Sequence, residues 1–198
     1  MRHARFVLLV ASLLASGVLF LGCNESGPAG VYAYIEWRVR CGAMLGCTER
    51  PDRFIDGFDG EGANISCSVR ETPDSRTLNF SAFTDQFGIQ LQNATFLRGG
   101  TVASGAGCTV RVLEDNNSYV GTCGGSPPSE GQPCQVNNVR FMRDDAGRAL
   151  IRGNIYCVGI SPTAARVERD LTAPGTSSEA RTTPLTFDIY DCPGYQPD

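Results

Sequence analysis

Apolar and polar residues alternate with a period of two through most of this chain. Val31, Ala33, Ile35, Trp37 and Val39 share one parity, and Tyr32, Tyr34, Glu36, Arg38 and Arg40 share the other. Successive strand side chains point to opposite faces, so this pattern predicts a half-buried strand over 31–40 with Trp37 turned to the core. The pattern recurs at Ile65, Cys67 and Val69, at Leu78, Phe80 and Ala82, and at Phe87, Ile89 and Leu91. Ala94 and Phe96 then fall out of step by one residue, which predicts a β-bulge near Gln92-Asn93. Cys108, Val110 and Val112, then Tyr119-Val120, Val136 with Val139 and Phe141, Ile151 (or Leu150) with Ile155 and Cys157, and Leu185 with Phe187 and Ile189 complete the set. Between them stand turn sequences: Thr72-Pro73-Asp74-Ser75, Glu114-Asp115-Asn116-Asn117 and Arg143-Asp144-Asp145-Ala146-Gly147. The prediction is an all-β antiparallel sandwich of jelly-roll or Ig-like type with eight to ten strands. One helix is expected, with Ser161 as N-cap, Pro162 at the first position and the body running to Asp170. Residues 172–184, rich in Thr, Ser, Gly and Pro, read as an exposed loop.

The first 22 residues break the alternation. Arg2 and Arg5 precede an apolar run from Phe6 to Phe20, shorter than the roughly 20 residues of a spanning helix and suited to a signal peptide. The run closes on Phe20-Leu21-Gly22-Cys23. This resembles the lipobox of bacterial lipoproteins, with Phe20 where that family usually has Leu. The resemblance covers the leader alone. It implies cleavage before Cys23, a diacylglyceryl thioether on its sulfur and an acylated amine. Asn24 rather than Asp after the cysteine implies sorting to the outer membrane, facing the periplasm or the surface. Residues 1–22 are thus expected as leader, 23–30 as lipidated cysteine and tether, 31–192 as one sandwich domain and 193–198 as a tail.

Nine cysteines are present. With Cys23 lipidated, the remaining eight make four disulfides in an exported chain. Eight cysteines allow 105 connectivities. Spacing suggests Cys41–Cys47 and Cys123–Cys134, each closing a small loop, with Cys157–Cys192 and Cys67–Cys108 completing the set.

Charge and composition exclude more than they assign. The formal charge is −4, and losing Arg2 and Arg5 with the leader makes it −6, which argues against nucleic acid as a partner. The chain has no Lys, and its one histidine, His3, leaves with the leader. The mature chain therefore lacks the groups for Ser-His-Asp, Cys-His, Ser-Lys or Schiff-base catalysis and for histidine-ligated metals. No enzyme is expected, and a carboxylate hydrolase is the one catalytic class still open. Calcium is the single cofactor suggested, on Asp56, Asp59 and Glu61 of a glycine-rich stretch whose spacing is not that of an EF-hand. Tyr32, Tyr34 and Arg38 suggest a surface for a carbohydrate or a peptide. Met44 and Leu45 would stand at the tip of the Cys41–Cys47 ring as a preorganised contact. The chain also resembles lipoproteins of GC-rich Gram-negative bacteria built on one disulfide-rich β-sandwich, a likeness that transfers no active-site residue. The expectation is a membrane-anchored envelope protein that binds a protein or carbohydrate without catalysis. An assembly lipoprotein docking on an outer-membrane partner is the alternative.

Overall fold

A computed structural model describes residues 30–42, 47–98, 107–124, 127–162 and 168–197. Cys23, Met44 and Leu45 lie outside the described residues. Eleven strands are present among them: β1 (Tyr32–Cys41), β2 (Asp52–Phe58), β3 (Asn64–Glu71), β4 (Ser75–Phe83), β5 (Phe87–Leu97), β6 (Thr109–Glu114), β7 (Asn117–Thr122), β8 (Cys134–Arg143), β9 (Ala149–Pro162), β10 (Arg169–Thr172) and β11 (Leu185–Tyr190). Their pairings are antiparallel.

The strands form two layers. In the first, β1 lies between β2 and the pair β11 and β10, which in turn meet β9, with β8 beyond it. The second runs β3–β4–β5–β6–β7. Long β9 belongs to both, because its last residues, Ser161 and Pro162, pair with β7. The layers meet through side chains of the inward parity: Phe80 against Phe187 at 5.1 Å, Trp37 against Phe87 at 5.7 Å and Phe96 against Phe141 at 5.9 Å between ring centroids. Trp37 and Phe187 are fully buried. Gly153 makes room for Phe187, since a Cβ there would lie 2.6 Å from its ring.

Local chemistry explains the details. Leu78 faces Ala94 while Phe80 faces Leu91, so the β4–β5 register slips at the expected place. Asn93 absorbs the bulge at φ 58°, and its N–H donates to Asn79 Oδ1 at 2.8 Å. Asp115 and Asn116, both at positive φ, make the two-residue turn between β6 and β7.

Two expectations about the elements need correction. The strand count is eleven, because β2 and β10 were not foreseen. The two described ends of the expected helix are strand instead: Ser161 and Pro162 end β9, and Arg169 and Asp170 open β10, where Arg169 faces both Cys41 and Ile160; residues 163–167 lie outside the described residues. Pairing of Ser161 and Pro162 with β7 overrides the local capping signal, and pairing on both sides holds β10 extended.

The disulfides are Cys41–Cys47, Cys67–Cys192, Cys108–Cys123 and Cys134–Cys157. Cys123–Cys134, Cys157–Cys192 and Cys67–Cys108 are therefore not formed. Strand register decides the pairing. Cys123 ends its hairpin beside Cys108, and Cys134 stands directly opposite Cys157. Cys123 and Cys134 do share a backbone bridge, so the chain segments meet as expected while their sulfurs bond elsewhere. Residues 193–197 fold back onto the layers: Val69 N–H donates to the Pro193 carbonyl, and buried Tyr195 packs edge-on against Phe141.

Candidate binding face

The outer face of the first layer can be read row by row from the strand register. Phe58, Tyr32 and Tyr190 stand side by side on β2, β1 and β11, and Leu150 and Met142 continue the row on β9 and β8. The next row is Asp56, Tyr34, Asp188, Arg152 and Arg140. The third is Phe54, Glu36, Thr186, Asn154 and Asn137. Directly opposed side chains on one face interact, so these rows are a contact map as well as an address.

Tyr32 meets Phe58 and Tyr190 edge to face, with centroids 5.1 and 5.3 Å away. The Arg148 guanidinium covers the Tyr190 ring at 4.5 Å. Tyr32 donates its hydroxyl proton to Asp56 Oδ1, and Tyr34 donates to Glu36 Oε1 at 2.5 Å. Arg152 grips Asp188 with two bonds of 2.7 and 2.6 Å. Phe54 is 65% exposed and Tyr34 39% exposed. The face is therefore aromatic and acidic over β2 and β1, with arginines over β9 and β8.

The outer face of the second layer is chemically different. Ser66, Ser81 and Gln90 stand in one row, and Thr77 pairs with Thr95 in another. Hydroxyls there bond each other across strands, Ser66 to Ser81 at 2.8 Å and Thr77 to Thr95 at 3.0 Å. That face is mostly neutral, with hydroxyls bonded to each other and Leu97, at the end of β5, 72% exposed.

The electrostatics of the first face leave a titration signature. The hydrogen bond to Asp56 is the largest influence on the Tyr32 phenol, followed by burial, and its pKa is pushed up to about 12. Tyr34 is also raised, first by its bond to Glu36, with Glu36, Asp56 and Asp188 all contributing charge. The folded state thus holds the Tyr32 proton more tightly than the unfolded chain. The stabilisation is complete below the unfolded value of about 10 and is lost as pH rises through about 12. Phenolate absorbance titration of the native protein is expected to show a late component near pH 12. Tyr32→Phe should delete that component and Asp56→Asn should shift it down; an unchanged curve in both would refute the assignment.

Of the other sequence candidates, Asp56 is part of this face, whereas Arg38, Asp59 and Glu61 serve other contacts. Arg38 points into an ion network with Asp52 at 3.3 Å and Glu49 at 3.5 Å and donates to the Gly175 carbonyl, so it is tied to loop structure rather than to the tyrosines. Asp56, Asp59 and Glu61 are not gathered into a calcium site. Asp56 is on β2 under Tyr32, Asp59 Oδ1 accepts the Ile65 N–H at 2.7 Å to close the turn, and Glu61 is exposed. Among the described residues no group of three acidic, Cys or His side chains is placed to hold a metal. Phe54, Phe58, Asp188 and Tyr190 belong to the face although sequence reading passed over them. Their signal is the outward parity of aromatic residues on strands whose neighbours only the fold reveals. No protein-family model, curated protein or solved structure matches the chain.

Proposed function

We propose that this protein is an exported, lipid-anchored, non-enzymatic binding module of the cell envelope, and that its ligand seats on the outer face of the first layer. The observation that carries the reading is the contrast between the two outer faces. One presents aromatic Phe54 and Tyr34 to solvent among carboxylates and arginines; the other pairs its own hydroxyls and, among the described residues, exposes a single large aliphatic residue, Leu97, at the end of β5. Exposed aromatic residues ringed by polar groups mark contact surfaces. The four disulfides support an oxidising compartment. They also use every cysteine after Cys23, which leaves that sulfur for the anchor.

Two experiments test the two halves of this reading. Mass spectrometry of the mature protein is expected to find Cys23 as the N-terminus, carrying diacylglycerol and an amide-linked acyl chain. Cys23→Ser should then move the protein from the membrane to the soluble fraction, and an unmodified Cys23 refutes the anchor. For the face, lipidated wild type and a Tyr34→Ala/Phe54→Ala variant are compared in pull-downs from envelope extract. The variant is expected to lose a component that the wild type retains. Equal capture by both would refute the face.

A further inference from the structure

Strand β2 stands at the margin of the first layer and pairs with β1 alone among the described residues. Among the described residues its other backbone edge is unpaired. Beside it lies a depression of about 160 Å³ lined by Phe54, Asp56 and Gly57 of β2, by Glu61 and Ala63 of the following turn and by Thr84. Asp56 and Glu61 are exposed there, while Asp52, at the start of the strand, is paired with Arg38. The one arginine of β2 is not available to offset them. Arg53 turns inward and bonds buried Glu114 at 2.5 and 2.8 Å.

An unpaired edge of this kind accepts a further strand. A second copy of β2 is a poor occupant. In the antiparallel register centred on Phe54 it sets Asp52 against Asp56, and like charges directly opposed destabilise a pair. A basic strand meets the opposite condition. Side chains at every second position would fall on the outer face beside Phe54, Asp56 and Phe58, within reach of Tyr34. Asp56 and Glu36 each receive one tyrosine hydroxyl, and no other side-chain donor bonds them among the described residues.

We propose that an extended, basic segment of a partner protein adds to the free edge of β2, main chain to main chain, with its Arg or Lys side chains set against Asp56 and Glu61 and over Phe54. This rests on the reading of the first-layer face as the ligand surface and names the ligand class.

The test is fluorescence anisotropy of the mature protein with a labelled decapeptide of alternating Lys and Val. Saturable binding is expected, weakened about tenfold by Asp56→Asn with Glu61→Gln, the loss of two exposed charge pairs. An Asp145→Asn/Glu130→Gln variant makes the same charge change elsewhere and should bind as wild type does. The same peptide with alternate amides N-methylated cannot complete the ladder and should fail to bind. Equal binding of the methylated peptide, equal weakening by the distant variant, or displacement by a neutral hexasaccharide overturns the proposal. If the decapeptide does not bind while the Tyr34→Ala/Phe54→Ala variant still loses its envelope component, the edge proposal falls and the binding-module reading stands.

Discussion

Replacing Cys67 and Cys192 together with serine is expected to lower the unfolding free energy by about 5 kcal/mol, the largest loss among the four bridges. The bond spans 125 residues, against 6 for Cys41–Cys47, 15 for Cys108–Cys123 and 23 for Cys134–Cys157. Restricting the unfolded chain is the main source of disulfide stability, and the effect grows with the logarithm of loop length. Two of the shorter bridges are nested inside the long one and shorten its free path, but the logarithm keeps the figure close to that value. By the same arithmetic the Cys41–Cys47 bridge contributes about 2 kcal/mol.

The native side adds to this difference. Cys67 lies on β3, the edge of the second layer, which among the described strands pairs with β4 alone. Cys192 follows β11 in the first layer, so the bond joins the layers at the outer edge of β3, where the Val69 to Pro193 backbone bond is a second tie among the described residues. Beside it, Gly194 sits at φ 85° with the Val69 carbonyl where a Cβ would be, 2.1 Å away. Urea unfolding of oxidised proteins should place the Cys67→Ser/Cys192→Ser midpoint well below that of Cys41→Ser/Cys47→Ser. The reverse order would show that native contacts, not chain restriction, set the ranking.

That bridge was not legible in the sequence, and the reason is general to this fold. Spacing along the chain favours short loops, whereas sulfurs pair by strand register and layer contact. Strand β1 was legible because ten residues alternate without a break and Trp37 shares the parity of Ile35 and Val39. Strand β2 was not, because its polarity is reversed: Phe54 and Phe58 point outward, while Arg53 and Gly57 share the inward parity of Ile55. Inward Arg53 is held by Glu114 at the end of β6, a partner 61 residues away, with Asp115 and the Phe87 ring beside it. The candidate face was half legible. Tyr32 and Tyr34 announce it on β1, but Asp56 and Asp188 become their neighbours only through β2 and β11. An aromatic ladder across three strands has no one-dimensional signature.

Arg40→Ala is expected to cost about 3–5 kcal/mol, the range for breaking a buried, hydrogen-bonded charge from one side. Arg40 is 1% exposed at the end of β1. Its Nε donates to Thr172 Oγ1 at 2.7 Å, and its Nη2 donates to the carbonyls of Gly175 and Ala173 at 2.6 and 3.2 Å. Glu49 lies 3.6 Å from Nη1. Burial lowers the guanidinium pKa and Glu49 opposes the shift, so the group remains charged at any ordinary pH. The loop it holds, residues 173–184, has almost no apolar side chain to dock it, and one planar fork substitutes for a core. Replacing both members of a buried ion pair with apolar groups is often harmless, which sets up a useful contrast. Here the acceptors are mostly backbone carbonyls and cannot be removed, so Arg40→Met fills the volume and still leaves them unpaired. Arg40→Lys keeps the charge but offers a single point donor in place of a fork. The expected order of stability in thermal unfolding is wild type, then Lys, then Met, then Ala. A Met variant as stable as wild type would mean that packing of the side-chain stem, rather than the three bonds of its head, fixes the loop to the sheet.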